Sequence, residues 1–118
     1  MSLEAVSSKF ITLLDTGLLE SAYESALAYE LRLAGLDVSC QLGLPFQYET
    51  VKLDIGYRID LMVNDSVIVE VKSVNELSSV HYKQVVTYLK LSNKKLGLLV
   101  NFNTSTISES IKRIVNNL

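Results

Sequence analysis

The apolar positions of this chain change period several times, and each change marks an element. Leu3, Val6, Phe10, Leu13 and Leu14 recur at roughly helical spacing until Thr16-Gly17 breaks the run. A stronger helix is predicted from Leu18 to about Ala34, with Gly35 as its stop. Its stripe is Leu19, Ala22, Tyr23, Ala26, Leu27, Leu31 and Ala34, and Glu30 falls near the middle of it, where Arg58 is the candidate partner. Leu36 to Tyr48 reads as extended, with Pro45 indicating a bend or a sheet edge. Residues 51–63 and 66–72 read as the arms of a hairpin, the first interrupted at Asp54-Ile55-Gly56. Ser78 to Leu91 is a second amphipathic helix, packing through Val80, Val85, Val86, Tyr88 and Leu89. The run from Leu96 to Phe102 is almost wholly apolar, as expected of a strand covered on both faces. A last helix is predicted from about Ile107 to Asn117, with Thr106 and Glu109 as a capping box and Ile107, Ile111, Ile114 and Val115 buried. Helices alternating with strands in this order predict a mixed sheet flanked by helices, in one domain spanning residues 1–118.

Composition narrows the class. A chain of 118 residues with 48% hydrophobic and 20% charged residues can bury one core and is not a disordered polymer. No apolar run is long enough to cross a membrane and the N-terminus lacks signal-peptide character, so a cytoplasmic location is expected. One cysteine, Cys40, and one histidine, His81, cannot build a four-ligand zinc site. The net charge of −2 opposes a broad phosphate-gripping surface, with only Lys83, Lys90, Lys94, Lys95, Lys112 and Arg113 hinting at one. A dimer would let so small an acidic protein present a larger surface.

The informative chemistry lies in the hairpin. Tyr57-Arg58-Ile59-Asp60-Leu61-Met62-Val63 and Ser66-Val67-Ile68-Val69-Glu70-Val71-Lys72 place two carboxylates and an ammonium group inside runs that otherwise read as buried strands. Alternation puts Arg58, Asp60 and Met62 on one face of the first arm, and Ile68, Glu70 and Lys72 on one face of the second. A two-residue turn at Asn64-Asp65 would set Asp60 opposite Val69 and send the acids to opposite faces. A three-residue connection through Ser66 pairs Val63 with Val67 and Asp60 with Glu70, and this shifted register is the expected one. Facing carboxylates repel unless a cation lies between them, and hard oxygen donors suit Mg²⁺ or a similar ion. The bland alternative makes Glu70 and Lys72 the solvated side of an edge strand.

Gly17-Leu18-Leu19-Glu20-Ser21-Ala22-Tyr23 matches the signature of the GxxExxY family, which resembles the PD-(D/E)XK nuclease superfamily. The similarity continues through Gly56 to Asp60, Glu70-Val71-Lys72 and Leu96 to Phe102. It implies an α/β, restriction-endonuclease-like αβββαβ core. It also implies roles: Asp60 and Glu70 as metal-binding carboxylates, the Val71 carbonyl as a further metal ligand, and Lys72 as the group that orients the attacking water. Glu20 matches the acid supplied by the first core helix. Gln84 and Tyr88 have the spacing of the QxxxY motif of RecB-like nucleases, and His81 joins their helix face. The function so implied is Mg²⁺- or Mn²⁺-dependent hydrolysis of phosphodiester bonds in nucleic acid, with DNA the expected substrate. The rival reading is a binding or regulatory module that keeps the fold without turnover.

Overall fold

A computed structural model describes residues 20–48, 51–102 and 111–117 of the protein. The helix expected over residues 3–14 and the Gly17-Leu18-Leu19 part of the signature lie outside the described residues. Helix α1 (Glu20–Leu33) leads into strands β1 (Val38–Tyr48), β2 (Val51–Val63) and β3 (Val67–Lys72). Helix α2 (Ser79–Ser92), strand β4 (Leu96–Asn101) and strand β5 (Ile111–Val115) follow. The strands form one five-stranded sheet in sequence order. Only β3 and β4 run parallel, joined by α2, and the other neighbours are antiparallel. This is the expected αβββαβ core, a restriction-endonuclease-like α/β sheet with β5 added at one edge.

Two apolar layers hold the sheet between its helices. On one face α1 contributes Tyr23, Leu27, Ala28 and Leu31, which pack on Leu61, Val63, Val69, Val71, Leu98 and Val100. Tyr23 stacks on Phe102, with ring centroids 4.3 Å apart and planes 5° from parallel. The stripe is narrower than the sequence indicated, since Ala22 and Ala34 are exposed and Ala28 is buried. Glu30 is half-buried and forms no ion pair with the exposed Arg58. Gly35, at φ +88°, ends α1 in a left-handed turn, where the Leu36 N–H donates to the Leu31 carbonyl at 3.1 Å.

On the other face α2 packs through Val85, Tyr88 and Leu89 against Ile68 and Leu99. Val80 was expected there too, but it is 69% exposed. The helix lies directly on Gly97, where a Cβ would sit 2.7 Å from Val85 Cγ1. Strand β4 is buried along nearly its whole length, as its apolar run required.

The β2–β3 connection takes the three-residue form. Val63 pairs with Val67, Asn64 and Asp65 both adopt φ +52°, and the Ser66 N–H donates to the Val63 carbonyl at 3.0 Å. Pro45 marks a shift of register between β1, an edge strand, and β2, opposite the predicted interruption at 54–56.

The last element corrects the sequence reading. Residues 111–115 form strand β5, not a helix, while Thr106 and Glu109 lie outside the described residues. Ile111 packs against the α1-side core and Ile114 against the α2-side core. A spacing of three places residues on one helix face but on opposite strand faces, and both faces of this sheet needed covering. Pairing with β4 also satisfies that strand's otherwise open edge.

The close approach at Gly97 yields a stability prediction. Gly97→Ala should lower the unfolding free energy by about 1–3 kcal/mol through overpacking. Combined with Val85→Ala, it should cost less than the sum of the single changes, because the clash disappears. Urea denaturation of the two single variants and the double variant measures this, and strict additivity would contradict it.

Candidate active site

The site forms where β2 and β3 part. Their regular pairing ends at Leu61 and Val69, one step before Asp60 and Glu70. Beyond it the side chains replace the backbone ladder. The Asp60 N–H donates to Glu70 Oε1 at 3.0 Å, and the Val71 N–H donates to Asp60 Oδ2 at 2.8 Å. Each acid therefore takes a backbone donor from the other side of the gap, and the expected facing of Asp60 and Glu70 is realised.

The expected face assignment of Arg58 is not realised. Ile59 joins the α2-side core and Leu61 the α1-side core, although strict alternation puts both on one face. Val38 and Leu44 of β1 divide in the same way. Both strands thus turn over around Gln41, whose φ is +51°, and its partner Asp60. Arg58 ends exposed instead of sharing a face with Met62, which is buried in the α2-side core.

Electrostatics at the gap is severe. Glu70 is only 2% exposed, and its pKa is pushed up to about 8. Burial is the main cause, followed by the charge of Asp60, while the Asp60 N–H and the charge of Lys72 oppose the rise. The Asp60 side chain beside Glu70 adds further to the rise. Lys72 is half-buried and acts on Glu70 through its charge, with no contact ion pair to either acid among the described residues.

Helix α1 brings two more acids. Glu20 Oε1 accepts the Ser73 N–H at 3.1 Å, fastening the start of α1 to the chain just after β3. Glu24 accepts from Gln41 Nε2 at 2.8 and 2.9 Å, one bond to each oxygen. Burial raises the Glu24 pKa, the Gln41 bond opposes this, and the charges of Asp60 and Glu20 add to the rise. From α2, Gln84 Nε2 donates to the Tyr88 hydroxyl at 3.2 Å. Burial and then the charge of Glu70 raise the Tyr88 pKa, so Tyr88 lies within electrostatic reach of the acid pair. His81 does something else: its Nδ1 accepts the Ser78 N–H at 2.9 Å and caps α2.

Sequence reasoning passed over Glu24, Gln41 and Asn101. Glu24 lies one turn after Glu20, and that spacing was its available signal. Asn101, 4% exposed, accepts from the Val74 N–H at 3.1 Å and donates to the Val74 carbonyl at 2.9 Å, pinning the segment after Lys72. Its signal was a polar residue inside an apolar run. Nothing in the sequence marked Gln41.

Among the described residues, no three His, Cys, Asp or Glu side chains form a ready metal cage. The donor set nevertheless fits a hard divalent ion of the kind held by one or two carboxylates, with waters and substrate oxygens completing the shell. Buried Glu70 and half-buried Asp60, held side by side by their bonds to backbone N–H groups, are such a pair.

The sheet and its flanking helices form a restriction-endonuclease-like α/β domain. A sequence profile of the PD-(D/E)XK nuclease superfamily matches residues 3–114, and the chain belongs to that superfamily. Its nucleases generally use divalent metals, and nucleic acid is the substrate that membership implies. No curated protein and no solved structure matches the chain at a significant level.

The raised Glu70 pKa has a signed consequence. An acid whose pKa climbs from 4.5 to about 8 on folding holds its proton more tightly in the native state. Its contribution to stability is complete below the unfolded value and is lost as pH rises toward 8. Metal-free protein should therefore lose unfolding free energy between about pH 5 and 8, and Glu70→Gln should flatten that slope. Denaturant unfolding across the range in EDTA tests this, and equal slopes for both proteins would refute it.

Proposed function

We propose that the protein is a Mg²⁺- or Mn²⁺-dependent nuclease that hydrolyses phosphodiester bonds, with DNA as its substrate. The observation that carries this reading is the buried Glu70 locked reciprocally to Asp60, with Lys72 two residues on along the same strand. We assign the metal to Asp60, Glu70 and the Val71 carbonyl. The N–H and C=O of a strand residue leave toward the same neighbour, and the Val71 N–H already points to Asp60. A divalent ion there would supply Lewis-acid polarisation of the phosphate and acidify a water.

The chain's own groups supply the rest. Lys72 orients the nucleophile and balances charge developing on the phosphate. Gln84 and Tyr88 form a linked polar pair, with Tyr88 in reach of the charge of Glu70, able to position substrate or water. Glu20 holds the strand end that carries Lys72, through Ser73, and stands where a second carboxylate could serve the reaction. The Glu20-to-Tyr23 segment supports placement within the GxxExxY group. The single domain is proposed to act in the cytoplasm, consistent with a free Cys40, as a monomer or a homodimer.

One observation favours the rival reading of a catalytically silent module. Two of the six candidate basic residues lie away from the site. Lys94 and Lys95 precede β4, beside the β2–β3 turn at the far end of the sheet, where Lys94 pairs with Asp65 at 3.4 Å. No helix among the described residues is long and apolar enough to cross a membrane.

Labelled single- and double-stranded DNA and RNA, incubated with Mn²⁺ or EDTA, separate the readings. Cleavage of DNA should need the metal and vanish in Asp60→Ala and Glu70→Ala, which should also lose Mn²⁺ uptake in calorimetry. Lys72→Ala should keep the metal and lose about 10²–10³-fold in kcat, the scale of one lost electrostatic contact to the transition state. Wild-type protein that neither cuts nor takes up Mn²⁺ would establish the silent module.

A further inference from the structure

Gln41, like Glu24, stands at the site without belonging to any motif. It sits inside β1 with φ +51°, a left-handed conformation that costs a side chain other than Gly, Asn or Asp free energy and persists only when the surroundings enforce it. Its surroundings are the acids. Gln41 Nε2 binds both Glu24 oxygens and lies 3.4 Å from Asp60 Oδ1. The pairing of β1 with β2 is regular on either side, yet the Gln41 and Asp60 step is missing from it. At this step both strands turn over, so that Val38 and Leu61 serve one core while Leu44 and Ile59 serve the other.

We propose that Gln41 is a positioning residue for Asp60. Its left-handed backbone turns the strand pair over, so that the Asp60 carboxylate reaches sideways to the Val71 N–H. Its amide stands between the carboxylates of Glu24 and Asp60 and holds both, a neutral donor separating like charges. Glu24 is thereby the anchor on α1 through which the helix and the β1–β2 arm are set relative to the acid pair. The geometric part of the inference needs no metal; its consequence for metal affinity rests on the function proposed above.

Two variants keep the backbone and remove the amide's reach. Gln41→Gly and Gln41→Asn both tolerate positive φ, so the fold and the Tm are retained. Amide hydrogen exchange of metal-free protein should then show Val71, which donates to Asp60, exchanging about tenfold faster while Val100 in β4 keeps its protection. Mn²⁺ affinity by calorimetry should fall about tenfold or more, as when a group supporting a metal ligand is lost. Unchanged Val71 exchange in both variants, or acceleration spread equally over core amides, would overturn the assignment. Wild-type protein that binds no Mn²⁺ would end the nuclease reading, and the exchange comparison would still decide the role of Gln41.

Discussion

Two strands that should continue as a hairpin ladder instead exchange side-chain bonds at Asp60 and Glu70, and the rest of the site depends on that exchange. The Asp60 N–H is satisfied by Glu70 and the Val71 N–H by Asp60, so the ladder can end without orphaning these donors. The same bonds fix both carboxylates next to one another in a place where water barely reaches Glu70. Burial and like charge then make the pair costly unless a proton or a cation joins it. The fold tolerates this because the gap opens at the rim of a sheet whose centre is covered on both faces.

That covering sets the precision of the site. The stack of Tyr23 on Phe102 fixes the first turns of α1 over the ends of β3 and β4, which places Glu20 against Ser73 and Glu24 against Gln41. On the opposite face the bare Gly97 lets α2 sink onto β4, carrying Tyr88 toward Glu70. The signature tyrosine is thus a packing residue, and its neighbour one helical turn earlier in face, Glu20, is the polar one. Asn101 closes the arrangement by tying down the chain that leaves Lys72.

Much of the fold was legible where a pattern had a single physical solution. The run Leu96 to Phe102 read as a strand buried on both faces and Gly35 as a helix stop, and the structure has both. Ile111, Ile114 and Val115 had two solutions, because i and i+3 share a helix face but split across a strand, and the open edge of β4 decided for the strand. Val80 is apolar yet exposed, since the helix stripe is defined by where Gly97 admits the helix and not by hydropathy alone. At the site, Asp60, Glu70 and Lys72 followed from strand alternation, and Gln84 and Tyr88 from the family resemblance; hydrogen bonds join the Asp60 and Glu70 positions and link Gln84 to Tyr88. Arg58 was placed on the wrong face because alternation cannot anticipate a strand pair that turns over.

By itself the sequence indicated the strand and helix order of the core, and the need for Asp60 and Glu70 to share a face favoured the three-residue hairpin register over the two-residue turn. These follow from local chemistry: side-chain period, turn-forming Asn64 and Asp65, and the cost of burying unpaired carboxylates. Tertiary structure alone decided β5, the reversal of faces at Gln41 and the convergence of Glu24 with Asp60. Those outcomes depend on edges, backbone conformation and contacts between residues far apart in the chain, which no local pattern records.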